Sequence, residues 1–288
     1  MTLDEWKKAG RYFQHGEHAI FYRQHGKGAT ALVLIHGFPT ASWDWAPLWD
    51  ELCAKFPHVI ALDMLGFGFS AKPRDHRYAL MEQADIHGAL LARLGVSRVH
   101  LLAHDYGVSV AQEMLARGLE GREPELLSVC LLNGGLFPET HRATPMQKLL
   151  LSPIGAVAAR LGNEAGFNNG FSFVFGPNTK PGPEELKDFW KLVTHNAGHR
   201  QMHRLIRYIE ERREHRERWV GALQNTRVPM RLINGPEDPV SGAHMVARYR
   251  ELVPAPDVVS LPGIGHYPQV EAPRQVLEAF LEFHRKLA

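Results

Sequence analysis

The 288-residue sequence predicts an α/β fold in which a mostly parallel central sheet is flanked by helices and carries an inserted helical cap. Between residues 30 and 135, short apolar runs of strand length alternate with longer segments of helical periodicity, which is typical of βαβ units. The alternation then stops, resumes near residue 229 and continues to the C-terminus. Because the same strand–helix alternation lies on both sides of the interruption, the sequence predicts a single sheet with an insertion.

Six apolar runs predict the strands, and five periodic segments predict the helices that connect them. In the second helix, apolar residues recur at three- and four-residue spacing, and the last helix is amphipathic. The predicted strands are 31–37, 58–65, 98–104, 126–135, 229–239 and 257–266. The predicted helices are 45–55, 79–94, 108–118, 242–253 and 273–287.

Residues 136–222 contain helical and loop patterns without a convincing buried strand. We therefore predict a core domain of residues 1–135 and 223–288 and a cap domain of residues 136–222 lying over the sheet. Within the cap, the segment 203–219 carries six arginines and four glutamates. Opposite charges at helical spacing predict a solvated helix face held by weak ion pairs. The apolar side of that helix would turn inward and direct Tyr208 toward the sheet.

The charge balance argues against large charged partners. The net charge is only +2, from 33 basic and 31 acidic side chains, so no global field would recruit nucleic acid or anionic lipid. A small apolar-to-neutral molecule, with water as the second reactant, is the expected partner. Cys53 and Cys130 are too few for a disulfide framework, and no signal segment or apolar run of membrane-spanning length is present. We expect a cytoplasmic protein without a membrane span, either a monomer or a homodimer.

Three histidines, His195, His199 and His203, recur at four-residue spacing, as metal ligands on one helix face do. The intervening Ala-Gly pair weakens a helix there, and no carboxylate shares the spacing. We therefore predict no metal site and no cofactor.

Asp105 lies in "LLAHDYGVSV" (101–110), where an apolar run passes through a short polar turn into a helical pattern. This is the outline of a nucleophile elbow, a sharp strand-to-helix turn that presents a catalytic side chain. Taken alone, Asp105 is also explained as the N-cap of a helix that starts at Gly107. Other features of the chain decide between the two interpretations.

Three further features lie at the C-terminal ends of predicted strands, the edge where open parallel sheets assemble their ligand sites. They are "LIHGFP" (34–39), Asp238 in "INGPEDP" and His266 in "LPGIGHYPQ". Each has a simpler explanation by itself: a Gly-Pro turn, an aspartate before proline in a turn, or a solvated loop histidine. Together with Asp105 they follow the chain order nucleophile, acid, histidine, which is the order of the α/β-hydrolase triad.

These motifs resemble the α/β-hydrolase superfamily over nearly the whole chain, and within it the members with an aspartate nucleophile, the epoxide hydrolases and haloalkane dehalogenases. The sequence is also similar to the mesoderm-specific transcript proteins of animals. The segments that carry this second similarity are "HGFPTASWDW", "ALDMLGFGFS", "HDYG", "LLNGGLFPETHR", "RWVGAL" and "HYPQVE".

The elbow and the chain order assign roles to the residues at the sheet edge. Asp105 is the nucleophile, His266 is the general base and Asp238 orients the histidine. The main-chain amides of Phe38 and Tyr106 form an oxyanion hole. Substrate contacts are expected from His36, Trp43, His104 and Trp190.

A carboxylate nucleophile restricts the reaction. With a reference pKa of about 3.9, an aspartate is already an anion at neutral pH and needs no activation. It can displace at a saturated carbon, opening an epoxide or expelling a halide, and leaves an alkyl ester on Asp105. His266 would then deprotonate a water that attacks the Asp105 carbonyl carbon. Attack on an ester or amide carbonyl would give a high-energy anhydride, which argues against an ordinary esterase or peptidase.

The choice between an epoxide and a haloalkane as substrate depends on which protein groups stabilise the negative charge of the leaving group. In the dehalogenases, one halide-binding residue directly follows the His-Gly pair and is usually Asn or Glu. The other directly follows the nucleophile and is Trp. This sequence has Phe38 and Tyr106 there, and its "HGFP" is similar to the epoxide hydrolase form. Epoxide hydrolases use two cap tyrosines as proton donors, whereas the cap has only Tyr208, so His141 is the candidate second donor.

We therefore predict an epoxide hydrolase that converts an epoxide to a vicinal diol. The alternative is a haloalkane dehalogenase whose halide site uses Trp43, Trp45 or Trp190. Fluoroacetate dehalogenases are excluded because they carry arginine directly after the nucleophile. A third hypothesis is a catalytically silent hydrolase fold used for ligand binding.

Overall fold

The computed structural model describes residues 1–287. Within them, eight strands form one sheet: β1 (Arg11–His15), β2 (His18–Gly26), β3 (Thr30–Ile35), β4 (His58–Leu62), β5 (Arg98–Ala103), β6 (Glu125–Leu131), β7 (Met230–Asn234) and β8 (Val258–Ser260). Their order is β1-β2-β4-β3-β5-β6-β7-β8. The β1–β2 and β2–β4 pairs are antiparallel, and all other neighbours are parallel. The predicted fold class, a mostly parallel α/β sheet, is confirmed.

The helices are α1 (Leu3–Lys8), α2 (Ala46–Lys55), α3 (Leu80–Arg93), α4 (Tyr106–Leu119), α5 (Pro145–Leu151), α6 (Gly155–Leu161), α7 (Glu164–Phe173), α8 (Pro183–Thr194), α9 (Met202–Leu205), α10 (Tyr208–Glu214), α11 (Arg216–Asn225), α12 (Ala243–Leu252), α13 (Pro268–Glu271) and α14 (Pro273–Arg285). Short 3₁₀ turns occur at Ser42–Trp45, Pro138–Thr140 and His195–Gln201. None of the helices in residues 1–287 combines the length and apolar character needed to cross a bilayer.

The parallel strands are buried on both faces, which explains their continuous apolar runs. Along β3, Val33 and Ile35 belong to one apolar layer, which also contains residues of α3 and α4. Leu32 and Leu34 alternate with them and belong to the opposite layer, with residues of α2 and α14. Burying a side chain of this size stabilises the fold by about 1.5–3 kcal/mol, so the two layers fix the register of the sheet.

The β1–β2 hairpin is absent from the predicted strands, because the alternation was recognised only from residue 30 onward. Its turn contains Gly16 at φ 56°, a left-handed conformation that favours glycine. In β2, Ile20 and Phe21 are fully buried, so the hairpin extends the sheet beyond its parallel part.

All six predicted strands end earlier than expected, and the difference is largest for the last two. β7 stops at Asn234 and β8 stops at Ser260, whereas the predicted strands continue to residues 239 and 266. Pro236 follows the observed end of β7, and Gly263, at φ 81°, follows the observed end of β8. Proline and glycine both interrupt the regular hydrogen-bonding of a strand. The shortened strands leave loops at the C-terminal edge of the sheet.

The segment between β6 and β7 contains helices and no strand, and the structure describes all of it. The prediction of one solvated helix over 203–219 is wrong, because that segment divides among α9, α10 and α11. Glu211 and Arg212 are 5% and 2% exposed. Glu211 accepts a hydrogen bond from the Leu80 amide at 2.9 Å, which draws the charged side of α10 into the protein. The division into core and cap domains stays a prediction.

Candidate active site

Asp105 lies between β5 and α4 in a strained conformation. Its φ of 46° and ψ of −105° are rarely adopted by a residue with a side chain, and such strain persists only where neighbours hold it. Two glycines make room for the turn. A Cβ at Gly107 would lie 2.6 Å from the Ile35 carbonyl oxygen, and one at Gly134 would lie 3.0 Å from the Asp105 Cα. The sequence therefore builds the predicted elbow with glycines on both sides of it.

The N-cap interpretation of Asp105 is wrong. The residue occupies the cap position of α4, but its side chain accepts no hydrogen bond from the amides of that helix. Its Oδ2 instead accepts a hydrogen bond from the Phe38 amide at 3.0 Å, from the loop after β3. The carboxylate is thus held across the sheet edge rather than over the end of its own helix.

Asp238 and His266, in the loops after β7 and β8, meet Asp105 at the same edge. The His266 Nδ1–H donates to Asp238 Oδ2 at 2.7 Å, and His266 Nε2 lies 3.7 Å from Asp105 Oδ1. Asp238 also accepts hydrogen bonds from the Val240 amide at 2.7 Å and the Ser241 hydroxyl at 2.6 Å. Asp238 therefore fixes the imidazole so that its second nitrogen faces Asp105.

The buried charges of this cluster stabilise one another. Burial opposes a charge on His266, but the carboxylates of Asp238 and Asp105 raise its pKa to about 10. Burial alone would raise the pKa of Asp105, but the hydrogen bond and charge of His266, with Arg212, hold that pKa well below its usual range. His266 likewise outweighs burial and lowers the pKa of Asp238. At neutral pH the resting site therefore pairs two carboxylates with an imidazolium and a guanidinium.

Two main-chain amides concern the Asp105 carboxylate: that of Phe38, across the sheet edge, and that of Tyr106, the next residue in the chain. The Phe38 amide contacts it directly, and the Phe38 carbonyl accepts a hydrogen bond from the Tyr267 hydroxyl at 2.9 Å, which fixes this loop. Gly37 permits the approach, since a Cβ there would lie 2.9 Å from the Asp105 Cβ. The Tyr106 amide has no acceptor among the hydrogen bonds of residues 1–287. The Phe38 amide therefore donates directly to the Asp105 carboxylate, and the Tyr106 amide is unpaired in the described chain.

Asp105 and His266 open into a cavity of about 390 Å³ that is mainly apolar. Its core side includes Phe38 and Tyr267, and its other wall comes from α5, α6, α7 and α8. Trp190 is the one predicted substrate contact that lines it. Such a cavity suits a small apolar-to-neutral substrate.

The predicted substrate contacts of His36 and His104 are corrected. The His36 Nδ1–H bonds to the Gly37 carbonyl at 2.8 Å, and its Nε2 accepts from the Met64 amide at 3.0 Å. His104 Nε2 bonds to the His266 carbonyl at 2.7 Å. Burial lowers the pKa of each to about 3, so both are neutral. They lie outside the cavity lining and hold the loops of the site.

Trp43 and Trp45 also lie outside the cavity. Trp43 packs edge-on against Phe189 at 5.3 Å between ring centres, near a separate surface pocket. Trp45 is fully buried in an apolar layer of the core. Neither indole reaches Asp105 to receive a halide or contact substrate.

Tyr208 lies beside the nucleophile but does not line the cavity. It is 1% exposed, and its hydroxyl has no hydrogen-bond partner within residues 1–287. Its ring packs 5.8 Å from the Phe38 ring and 5.1 Å from the Tyr106 ring, while the Arg212 guanidinium lies 4.5 Å from its centre. Burial and then the Asp105 charge raise its pKa. No hydrogen bond joins it to Asp105 in the described chain.

His141, the predicted second donor, is not an exposed loop residue. Both of its ring nitrogens are buried and lack partners in the described chain. Burial, and then the charge of Arg212, lower its pKa to about 4, so it is neutral. The following residue, Arg142, donates its amide to the Val240 carbonyl at 3.3 Å, which holds this loop close to Asp238.

Sequence reasoning missed Arg212, which braces the elbow from the insertion. Its Nε donates to the Ser109 hydroxyl at 2.7 Å and its Nη2 to the Asp105 carbonyl at 2.8 Å, with Nη2 3.9 Å from Asp105 Oδ1. Its spacing of four from Tyr208 places both residues on one helix face, which was the available signal.

Asn133 and Tyr267 were also missed. Asn133, the first polar residue after the apolar run of β6, accepts the Asp105 amide on its carbonyl at 2.8 Å and donates its side-chain amide to Asp238 Oδ2 at 3.0 Å. Tyr267 follows His266 directly and fixes Phe38. A polar side chain at a strand end and the neighbour of a catalytic candidate are the positions to inspect in such a sequence.

The three spaced histidines do not converge. His199 lines the cavity, His195 packs 5.2 Å from the Phe69 ring, and His203 lines a different cleft. Residues 1–287 contain no group of three or more His, Cys, Asp or Glu side chains arranged to hold a metal ion.

Comparisons with known proteins identify the family of this chain. The sequence profile of the alpha/beta hydrolase family matches residues 32–279. The mesoderm-specific transcript homolog protein of Homo sapiens is 45% identical over 98% of this chain and 88% of its own length. The putative hydrolase LipZ of Mycobacterium tuberculosis is 40% identical over 97% of each chain.

Solved structures show the same fold. The haloalkane dehalogenase DatA from Agrobacterium tumefaciens C58 has a TM-score of 0.81 at 20% identity, covering 97% of each chain. The epoxide hydrolase CorEH has a TM-score of 0.77 at 19% identity, covering 97% of this chain and 99% of its own. The resemblance inferred from the sequence motifs is confirmed, and the chain belongs to the alpha/beta hydrolase family.

Proposed function

We propose that this hydrolase acts through a covalent alkyl ester at Asp105 and that its reaction is the opening of an epoxide to a vicinal diol. The observation that carries the proposal is the placement of the Asp105 carboxylate. It is anionic, faces a mainly apolar cavity, and has one oxygen on the Phe38 amide and the other 3.7 Å from His266 Nε2. We further propose that residues 136–222 act as a cap domain over the core of residues 1–135 and 223–288.

The first step is displacement at an epoxide carbon by Asp105 Oδ1. Oδ2 is held by the Phe38 amide and becomes the carbonyl oxygen of the ester. The carbon–oxygen bond of the epoxide breaks and leaves an alkoxide. A carboxylate suits this step because it is already an anion.

The alkoxide needs a proton, and His266 is the first candidate donor. Its pKa of about 10 keeps the imidazole protonated in the resting site, and it lines the cavity beside Asp105. Esterification removes the negative charge of Asp105, which lowers the pKa of His266 and favours the transfer. The Tyr208 hydroxyl is the second candidate, since it is unpartnered and next to the nucleophile, but it must move to enter the cavity.

The second step hydrolyses the ester. Neutral His266, oriented by Asp238, takes a proton from water as the water attacks the Asp105 carbonyl carbon. The amides of Phe38 and Tyr106 hold the resulting oxyanion. Collapse of the intermediate breaks the ester bond and expels an alkoxide, which receives the proton of the newly formed Asp105 carboxylic acid. The diol is released, and the Asp105 carboxylate and the His266 imidazolium are restored.

A haloalkane dehalogenase is the second candidate, favoured by Trp190 at the cavity wall. It is weaker because a halide needs paired N–H donors in a dry site, and Trp43 and Trp45 lie elsewhere. A catalytically silent fold would not need the paired and buried charges of Asp105, Asp238 and His266.

The free thiols of Cys53 and Cys130 support a reducing, cytoplasmic location.

The test is a trapped intermediate. His266→Gln is incubated with styrene oxide, 1,2-epoxyoctane and 1-bromobutane, and intact mass is followed. We expect the protein to gain the mass of an epoxide slowly, because in this variant the alkoxide takes its proton from water or from Tyr208, and the ester that forms cannot be hydrolysed. The matched control is Asp105→Asn/His266→Gln, which should gain none. Adduct on both variants, or on neither with any substrate, contradicts the proposal, and an alkyl adduct from the bromide alone assigns dehalogenation.

A further inference from the structure

The cavity opens among apolar side chains that are exposed to water. Met146 and Leu149 on α5 and Leu161 on α6 line the cavity, and they are 44%, 38% and 74% exposed. Ile154 and Val157, beside and on α6, are 61% and 57% exposed. We call these five residues the apolar rim. Exposed apolar residues clustered on one face mark a surface that is covered in use.

A second cavity of about 490 Å³ lies against the same helix and is strongly basic. Asp75 is the one acidic residue that lines it, and it pairs with Arg204 at 3.0 Å. Within the described chain, Arg74, Arg160 and Arg200 form no ion pair. The cations of this basic cleft are Arg74, Arg160, Arg200 and Arg204. Lys72 and His203 also line it, but the Lys72 Nζ donates to three main-chain carbonyls and burial lowers the pKa of His203.

The basic cleft also contains features typical of a ligand site. Gln201 lines it and is 9% exposed, and its Oε1 has no partner in residues 1–287. Asn196 and Ala197 line it with φ values of 50° and 57°, a left-handed conformation that costs free energy for residues other than glycine. Strain of this kind clusters at ligand sites.

Helix α6 joins the two features. Ala158, Ala159 and Leu161 face the cavity, whereas Val157 and Arg160 line the basic cleft. Exposed apolar and basic side chains therefore lie together on the face formed around α6, which borders both the cavity that contains Asp105 and the basic cleft. The net charge of +2 conceals this cluster, because the fold gathers residues far apart in sequence.

We propose that this face docks on bilayers that contain anionic phospholipids, with headgroup phosphates in the basic cleft and the apolar rim in the acyl boundary. Interfacial attachment combines these two contributions, apolar insertion and attraction of basic side chains to anionic lipid. Charge complementarity selects the anionic bilayer over an apolar protein surface. Resting on the proposed function, we further assign to the cavity a lipophilic epoxide that enters from the bilayer.

Docking is tested by cosedimentation with vesicles. The protein is mixed with vesicles of phosphatidylcholine alone or with 30% phosphatidylserine. We expect binding to the anionic vesicles that weakens as NaCl rises to 0.5 M. Arg160→Glu/Arg200→Glu should reduce the partition coefficient at least about tenfold, because each basic residue near the surface contributes severalfold. Ile154→Ser/Val157→Ser should reduce it severalfold by removing apolar insertion.

The matched control is Arg93→Glu/Arg98→Glu, which makes the same charge change on exposed arginines at the opposite edge of the sheet. It should bind as the unchanged protein does. Equal loss in this control, or no preference of the unchanged protein for anionic vesicles, overturns the proposal, as does elution as a dimer through this face with no vesicle binding. Circular dichroism melts confirm that each variant folds.

A second readout separates docking from chemistry. Turnover of styrene oxide dispersed in water should be unchanged in both docking variants, whereas turnover of an epoxidised fatty ester in anionic vesicles should fall with binding. If no substrate is turned over, vesicle binding still decides docking. If epoxides are turned over equally from water and vesicles, the substrate assignment is wrong.

Discussion

The core side and the insertion side of the active site are built differently. On the core side, Asp238 and His266 are hydrogen-bonded and buried, and the Asp105 Oδ2 is held by the Phe38 amide. On the insertion side, the Tyr208 hydroxyl and the ring nitrogens of His141 are buried without partners in the described chain. The core therefore fixes Asp105, Asp238 and His266, whereas the insertion keeps these polar atoms unpaired outside the cavity lining and supplies the helices of the cavity wall.

The largest effect should come from the core side. Asp105→Asn removes the anionic nucleophile while preserving shape and the bond to the Phe38 amide. We expect a loss of about 10⁴-fold or more in kcat, as for removal of other essential catalytic groups. Single-turnover rates measure it, with thermal melting as the check on folding. Activity within tenfold of the unchanged enzyme would mean that residue 105 is not the nucleophile.

Arg212 tests the bridge from the insertion side that contacts Asp105 itself. Arg212→Met leaves the Ser109 hydroxyl and the Asp105 carbonyl without its donors, so we expect the free energy of unfolding to fall by about 3 kcal/mol. The lost charge raises the pKa of Asp105 and shifts the acid limb of the rate profile to higher pH. Arg207→Met, an exposed neighbour on the same segment, should change stability by less than about 0.5 kcal/mol. Equal effects of the two would contradict the bracing role.

Tyr208→Phe decides which side supplies the proton. If His266 donates, ester formation should stay within about threefold of the unchanged rate, whereas loss of a general acid typically costs 10²-fold or more. Stopped-flow measurement of the first step with an epoxide separates these outcomes. A large loss assigns the proton to the insertion side.

The pH dependence of stability should reveal the His266 ion pairs. Its pKa is raised to about 10 in the folded protein against about 6.5 in the unfolded chain. The contribution of the His266 ion pairs to the free energy of unfolding is therefore complete below pH 6.5 and is lost as the pH rises through 10. Urea unfolding from pH 6 to 10 should show the unchanged protein losing more than about 1 kcal/mol relative to His266→Gln. Parallel curves would show that the imidazole carries no raised pKa.

The smallest effect distinguishes two tryptophans. Trp190 lines the cavity and Trp43 does not, so Trp190→Phe should change KM a few-fold and Trp43→Phe should leave it unchanged. Steady-state kinetics with styrene oxide measures both. If KM changed in Trp43→Phe and not in Trp190→Phe, the substrate would bind on the Trp43 side of α8 instead.

The parallel strands and the meeting of Asp105, Asp238 and His266 were predictable because the strand ends converge on one edge. The parallel direction follows from the βαβ pattern, and Asp105, Asp238 and His266 each follow an apolar run. The insertion was less predictable, since its helices are short and their packing depends on the core surface beneath. Arg212 resembled a solvated charge because its partners, Ser109 and the Asp105 carbonyl, lie about a hundred residues away.

The site loops also hold one another. His104 joins the elbow to the His266 carbonyl at 2.7 Å, Tyr267 joins that same loop to Phe38 at 2.9 Å, and Phe38 returns to Asp105 at 3.0 Å. These three bonds close a triangle through the ends of β3, β5 and β8. The loops that carry Asp105, His266 and Phe38 are therefore coupled, and a displacement of one loop strains the hydrogen bonds that hold the other two.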